Sequence, residues 1–350
     1  MIKTKSLAQL EKITLIVVST VALTAALYWG RTFLIPLLFG GLFAMLFTPM
    51  ALWLRRHRMP KLLAVILCVL TLITALGIFA GALFWQGNAL ANNWPEIEQK
   101  VINKGQQIYE WSINHVNGLS KERLNTVSER LAQQQETWQK WITNFMGNFF
   151  GSLTNSILAL IYMTFLMLAT DRITEFGLRV APPDQRDTQN AFMQESRNLV
   201  ARFFVGRLIL ALIQCLIFSV GFLIFGLQYA IPVGILAGIF TFIPYIGNII
   251  GGLLALLIAL ATGGGTTVYL GVIGTMVVGQ VLENNILSPW IVGREVNLNP
   301  FFTFTSIIAF SLIWGIAGTI LAIPLVAVAK KYCEYQPTLQ PYGYLMGLEE

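Results

Sequence analysis

Apolar and polar positions along this chain fall into long blocks rather than a short period. No Asp, Glu, Lys or Arg occurs between Arg207 and Glu283, from Val296 to Ala329, or from Leu62 to Pro95. Each stretch exceeds the roughly 20 apolar residues that carry a helix across a ~30 Å hydrocarbon core. A run such as Leu208–Ala261 also lacks the alternation of a membrane β-barrel strand. The predicted apolar segments are Ile13–Trp29, Thr32–Leu54, Leu62–Trp85, Phe149–Ala169, Phe203–Phe225, Gln228–Thr262, Thr266–Leu282 and Phe301–Val328. The expected fold is therefore all-α: a polytopic helical membrane protein with about eight transmembrane helices and one broken or re-entrant helical region.

That region is Gln228–Thr262, too long for one simple crossing. Its middle reads Thr241-Phe242-Ile243-Pro244-Tyr245-Ile246-Gly247-Asn248. Proline removes a helical donor and disfavours helix at the residue before it. Eight spans result if the region crosses once as a broken helix. Six spans plus two re-entrant hairpins give the same parity. The eight-span arrangement is preferred.

The polar stretches set the expected organisation. Residues 1–87 form an N-terminal three-helix membrane segment, and 88–148 an extracytoplasmic amphipathic helical insertion. Residues 149–170 form the fourth membrane helix, 171–202 a cytoplasmic amphipathic segment, 203–329 the C-terminal transport region, and 330–350 a cytoplasmic tail. In the insertion, Leu124, Val127, Leu131, Trp138, Trp141 and Phe145 recur at helical spacing. Two helices, split near Asn117-Gly118, are expected there, as contact surfaces with each other or with another subunit. The glycine pairs Gly77/Gly81, Gly234/Gly238 and Gly247/Gly251, each four apart, suit close helix packing and homo-oligomer formation.

Composition strengthens the membrane reading. Only 11% of residues are charged and 55% are apolar, against roughly 25% charged in a soluble domain. The net charge of +6 reads as the Lys/Arg bias of cytoplasmic loops, not as a nucleic-acid surface. Lys3, Lys5, Lys12, Arg55, Arg56, Arg58, Lys61, the arginines from Arg172 to Arg202, Lys330 and Lys331 all lie on one side if the N-terminus is inside. Arg31 and Arg294 lie on the other. Both termini are thus expected in the cytoplasm, with the chain in a bacterial inner membrane among its lipids.

Catalytic constellations are absent. There is no HExxH, GxSxG or CxxC, and no Lys-Ser/Thr follows Gly263-Gly264-Gly265 as a P-loop would require. No enzyme, cofactor or metal site is expected. Intramembrane polar groups are the better candidates, because a charge left in the bilayer is costly. Glu283 ends an apolar run, followed by Asn284 and Asn285, with Gln280 near the same face. It reads as a substrate or proton site, or as an interfacial carboxylate at a helix end. Arg207 either pairs with Glu283 or snorkels to the cytoplasmic surface; snorkelling is the preferred expectation. The Pro244 break, with Tyr245 and Asn248 beside it, has the character of a transporter site, or of a plain proline kink.

Four stretches resemble the autoinducer-2 exporter (AI-2E) family. They are Ile35-Pro36 to Thr48-Pro49 with Met59-Pro60-Lys61, then Pro182–Arg207, then Phe242–Gly247. The fourth runs from Glu283-Asn284-Asn285-Ile286-Leu287-Ser288-Pro289 through Val292-Gly293-Arg294 and Leu298-Asn299-Pro300 to Trp314-Gly315, Gly318 and Pro324-Leu325. The resemblance implies an oligomeric inner-membrane transporter. By position it marks the Pro244–Gly247 break and the Gln280–Pro289 segment as functional, with Pro289 and Gly293 as further structural breaks. It also implies export of a small polar metabolite, autoinducer-2 first, with Glu283 coupling protons or binding substrate beside Asn284, Asn285 and Asn248. Monovalent cation/proton antiport is the alternative. A non-transporting membrane scaffold is the third reading. The family's frequent second proline after Ile-Pro-x-x-Gly is replaced here by Asn248-Ile249.

Overall fold

The computed structural model of the chain describes residues 2–92, 135–242, 246–291 and 297–348. The elements are α1 (Ile2–Trp29), α2 (Arg31–Arg56), α3 (Lys61–Asn92), α4 (Gln135–Val180), α5 (Arg186–Ile224), α6 (Ala230–Phe240), α7 (Ile246–Ala261), α8 (Thr266–Leu282), α9 (Pro300–Tyr335) and α10 (Gln340–Met346). A π-helical turn, Glu283–Leu287, and a last turn, Ser288–Ile291, extend α8. Six helical stretches are long and apolar enough to cross a membrane: Arg31–Arg56, Lys61–Ala82, Ile157–Val180, Pro183–Ile224, Thr266–Ile291 and Pro300–Tyr335. The described part of α1 adds a shorter apolar piece, Val17–Trp29. The expected all-α membrane architecture is observed.

The chain divides into two compact units. One comprises Met1–Val69, Asn155–Ala201 and Val296–Glu350; the other comprises Leu70–Thr154 and Arg202–Glu295.

In the second unit, Phe218 and Phe222 of α5 stack at 6.0 Å. Around them Val233 and Ala237 of α6, Ala255 and Ile258 of α7 and Val272 of α8 are fully buried. Glycines let the helices close on this core. A Cβ on Gly238 would sit 2.3 Å from the Cys215 nitrogen, and one on Gly234 2.4 Å from the Ser219 backbone. No side chain fits there, so α6 lies directly on α5. The pair Gly77/Gly81 differs: nothing lies within 4 Å of either Cβ direction, and the expected close packing is not seen there.

Helices α6 and α7 are folded against each other. A Cβ on Gly251 would meet Ala237 at 2.8 Å, and one on Gly247 would meet the Phe240 carbonyl at 1.6 Å. Two successive contacts running in opposite directions make a hairpin. At 11 and 16 residues, the arms span only about 16 and 24 Å. The preferred reading, a single broken crossing, gives way to the hairpin alternative, since the turn reverses the chain rather than kinking it. Ile243, Pro244 and Tyr245, which form the predicted break, lie outside the described residues.

The first unit holds a second hairpin where one apolar span was expected. Gly315 in α9 has φ 62° and ψ −139°, a conformation open essentially to glycine alone. A Cβ on Gly318 would lie 2.0 Å from the Phe310 carbonyl oxygen. In a straight helix those residues would stand about 12 Å apart. Pro300–Trp314 and Ile316–Tyr335 are therefore two arms. The Trp314 indole N–H at the tip donates to the Leu27 carbonyl at 2.9 Å.

The foot of this hairpin is closed by the C-terminal residues. Leu298 and Gly347 form an antiparallel bridge, and the Asn299 N–H donates to the Met346 carbonyl at 2.8 Å. Lys330, expected only as a basic marker at a span end, is 6% exposed. Its ammonium donates to the Asn297 carbonyl at 2.9 Å and pairs with Glu334 at 3.0 Å.

The polar segment 171–202 is helical on both sides of the Pro182-Pro183 break. A 3-10 turn, Pro183–Gln185, separates α4 from α5. Glu195 of α5 pairs with Lys331 at 3.0 Å and accepts from the Tyr335 hydroxyl at 2.7 Å. Of the amphipathic stripe in the insertion, Leu124, Val127 and Leu131 lie outside the described residues. Trp138, Trp141 and Phe145 fall within the helical backbone of α4.

Candidate functional site

The second unit carries a buried carboxylate. Glu283 opens the π-helical turn that extends α8 and is 7% exposed. Single π turns are rare and concentrate at functional sites, where the wider turn re-aims the side chains that follow. The Glu283 carboxylate accepts from Arg207 Nη1 at 3.1 Å and from Gln214 Nε2 at 3.0 Å. Arg207 and Gln214 stand seven residues apart on α5, which places them on one helix face. The Gln214 amide also donates to the Gly279 carbonyl at 3.0 Å.

Arg207 thus pairs with Glu283 and does not snorkel to the surface as expected. The cause is geometric. Small residues, Gly279 against Phe218 and Gly221 against Thr275, bring α5 and α8 close enough for the guanidinium to reach the carboxylate. The two side chains are only 14% and 9% exposed. In such a setting each charge compensates the other's lost hydration.

A second polar row lies on the α7 side of α8. Asn248 Nδ2 donates to Gln280 Oε1, and Gln280 Nε2 donates to Asn284 Oδ1 at 3.0 Å. Residues 280 and 284 are one turn apart, so both face the same neighbour. Two acceptors in this region are buried without a donor among the described residues: Gln214 Oε1 and Asn248 Oδ1. A buried amide oxygen without a partner is costly, so each stands ready to accept from a ligand hydroxyl or a water.

Five of the eleven expected site residues come together here. Glu283, Gln280, Asn284 and Asn248 lie in these two rows, and Arg207 joins them. Asn285 does not; it is exposed and its amide donates to the Val281 carbonyl at 2.9 Å. Gly247 lies at the start of α7, in the contact of the hairpin arms. Pro289 lies in the turn Ser288–Ile291, exposed. Tyr245, Pro244 and Gly293 lie outside the described residues. Gln214 was not anticipated. Its signal was an amide inside an uncharged run, seven residues after Arg207. Among the described residues no His, Cys, Asp and Glu group could hold a metal ion.

The chain was compared with known proteins. The model of the AI-2E family transporters matches residues 17–337. YueF and YrrI of Bacillus subtilis are 24% and 26% identical to the chain, over 86% of it and over 83% and 85% of their own lengths; both are named for transport, with no substrate stated. The AI-2 transport protein TqsA of Escherichia coli is 20% identical over 91% of this chain and 90% of its own. These relatives are transport proteins, not enzymes. With membrane-length helices and a buried polar centre, the chain is a multi-pass membrane transporter and belongs to the AI-2E family.

Proposed function

We propose that the chain is a proton-coupled exporter of a small, neutral, hydroxyl-bearing metabolite, with autoinducer-2 the leading candidate. The observation that carries this reading is the buried Glu283–Arg207 pair at 3.1 Å. Its net charge is near zero, so the unprotonated centre is stable at membrane depth. A proton arriving at Glu283 cancels its attraction to Arg207, which favours rearrangement of α5 against α8. The unpartnered oxygens of Gln214 and Asn248 suit a ligand that donates O–H groups, and the Asn248–Gln280–Asn284 row suits one without net charge. The name of TqsA supplies the candidate molecule.

The antiporter alternative fits this geometry less well. A Na⁺ at Glu283 would sit against a guanidinium, and like charges in a low-dielectric site repel strongly. The scaffold reading leaves the paired charges unexplained. The Lys/Arg bias of the loops supports an orientation with both termini in the cytoplasm of a bacterium.

The test is efflux from proteoliposomes loaded with autoinducer-2 under a pH gradient. Wild type should show gradient-driven efflux, and the charge-neutral pair Arg207→Gln/Glu283→Gln should lose the pH dependence. Unchanged pH-dependent efflux in the double variant would reject the proton role. Proton flux that appears only with Na⁺ or Li⁺, without efflux, would return the antiporter.

A further inference from the structure

A cavity of about 360 Å³ opens within the first unit, between α2, the start of α3, the end of α4 and α5. One wall is apolar: Ala51, Val65 and Met167 are 9%, 2% and 3% exposed. The lining also carries Arg55, Lys61 and Arg197 together with Asp171 and Glu175.

These charges do not cancel. Asp171 accepts from Lys61 Nζ at 2.7 Å and lies 3.6 Å from Arg55. Glu175 is engaged by Arg179, one turn along α4. Arg197 is half-buried and donates to Thr174 Oγ1 at 2.7 Å. Among the described residues no carboxylate lies within salt-bridge distance of it. A guanidinium has five N–H donors in a planar fork, and Arg197 lines the cavity with its Nη2 bonded to Thr174. The lining therefore keeps one positive charge in excess beside an apolar wall.

The cavity also sits at a chemical boundary. The apolar part of α2 ends at Arg55-Arg56, and that of α4 ends at Asp171. This is the Lys/Arg-rich edge of the membrane segments, where basic pockets between helices hold anionic headgroups. Leu52 lines the cavity and is 45% exposed, which continues the apolar wall to the surface. A phosphodiester carries one negative charge and offers oxygens that a guanidinium fork matches.

We infer that this cavity binds the phosphate of an anionic phospholipid, held by Arg197 with Lys61 and Arg55, with the start of an acyl chain against Val65 and Met167. The same phosphate chemistry is offered by a soluble phosphate ester; the apolar wall and its opening at Leu52 favour the lipid. Asp171 acts as an internal competitor that keeps Lys61 and Arg55 partly engaged.

The experiment uses the full chain in nanodiscs of phosphatidylglycerol or of phosphatidylcholine, with retained lipid counted by native mass spectrometry. Wild type should retain phosphatidylglycerol in roughly tenfold preference, and Arg197→Gln should lose that preference. Asp171→Asn, which frees both other cations, should strengthen retention. Equal retention of the two lipids, an unchanged preference in Arg197→Gln, or weakened retention in Asp171→Asn would overturn the site. Displacement of the lipid by millimolar glycerol 3-phosphate, with equal binding of that ester in phosphatidylcholine discs, would assign the cavity to a soluble phosphate and overturn the lipid inference.

Discussion

Neutralising one member of the Arg207–Glu283 pair should be worse than neutralising both. The donor and acceptor are 3.1 Å apart, so the charge centres lie about 4 Å apart, a gross attraction of about 4 kcal/mol at an effective dielectric of ~20. Desolvation offsets part of this. The side chains are 14% and 9% exposed, so little water replaces a lost partner, and each single change should cost about 3 kcal/mol. Glu283→Gln removes the carboxylate that faces the guanidinium. Arg207→Gln takes the counter-charge from the carboxylate and leaves it the Gln214 amide as a donor. The double variant removes both buried charges and keeps amides able to bond each other. It should be no less stable than either single variant, giving a coupling energy of about 3 kcal/mol or more. Reversible unfolding by SDS in mixed micelles measures all four proteins. If the two single losses add to the double loss within about 0.5 kcal/mol, Arg207 does not meet Glu283 and the argument from their pairing fails.

Two further predictions concern glycines. Gly238→Ala should lower stability by about 2 kcal/mol or more, because its Cβ would meet Cys215 backbone at 2.3 Å. Gly77→Ala, with open space around its Cβ, should gain roughly 0.5–1 kcal/mol of helix propensity; the same unfolding assay should give opposite signs, and equal effects would refute the packing argument. Gly315→Ala should lower the melting temperature by roughly 2–6 °C, because φ 62° with ψ −139° strains any side-chain-bearing residue. An unchanged melting temperature would mean that the turn at the tip of α9 accepts a Cβ.

The membrane segments were readable because uncharged runs set by bilayer thickness need no tertiary information. Helix boundaries at Arg31, Lys61 and Thr266 fall within a residue or so of those expected. The second hairpin was open only as part of the six-span alternative, and its turn could not be located. Phe301–Val328 is one apolar run, and a glycine inside it signals a turn only when the backbone is seen at positive φ. Arg207 was misread for a related reason. Sequence places a guanidinium one turn inside a span, but whether it reaches a carboxylate depends on how near α5 comes to α8. Gln214 escaped notice because one amide in an apolar run resembles a tolerated exception until its neighbour across the helix contact is known. Lys330 looked like an orientation marker, and the antiparallel bridge that buries it joins residues far apart in sequence.

The discontinuity of the first unit has a consequence for biogenesis. Its stretches are made in three instalments: Met1–Val69, Asn155–Ala201 and Val296–Glu350. All of the second unit, Leu70–Thr154 and Arg202–Glu295, is synthesised before the last instalment begins. The α5–α8 core can therefore assemble while translation continues. The α9 hairpin and its clasp at Leu298 and Gly347 can close only after ribosomal synthesis has passed Gly347. Until then the foot of the hairpin stays open, and the first unit waits on the newest part of the chain to complete its oldest.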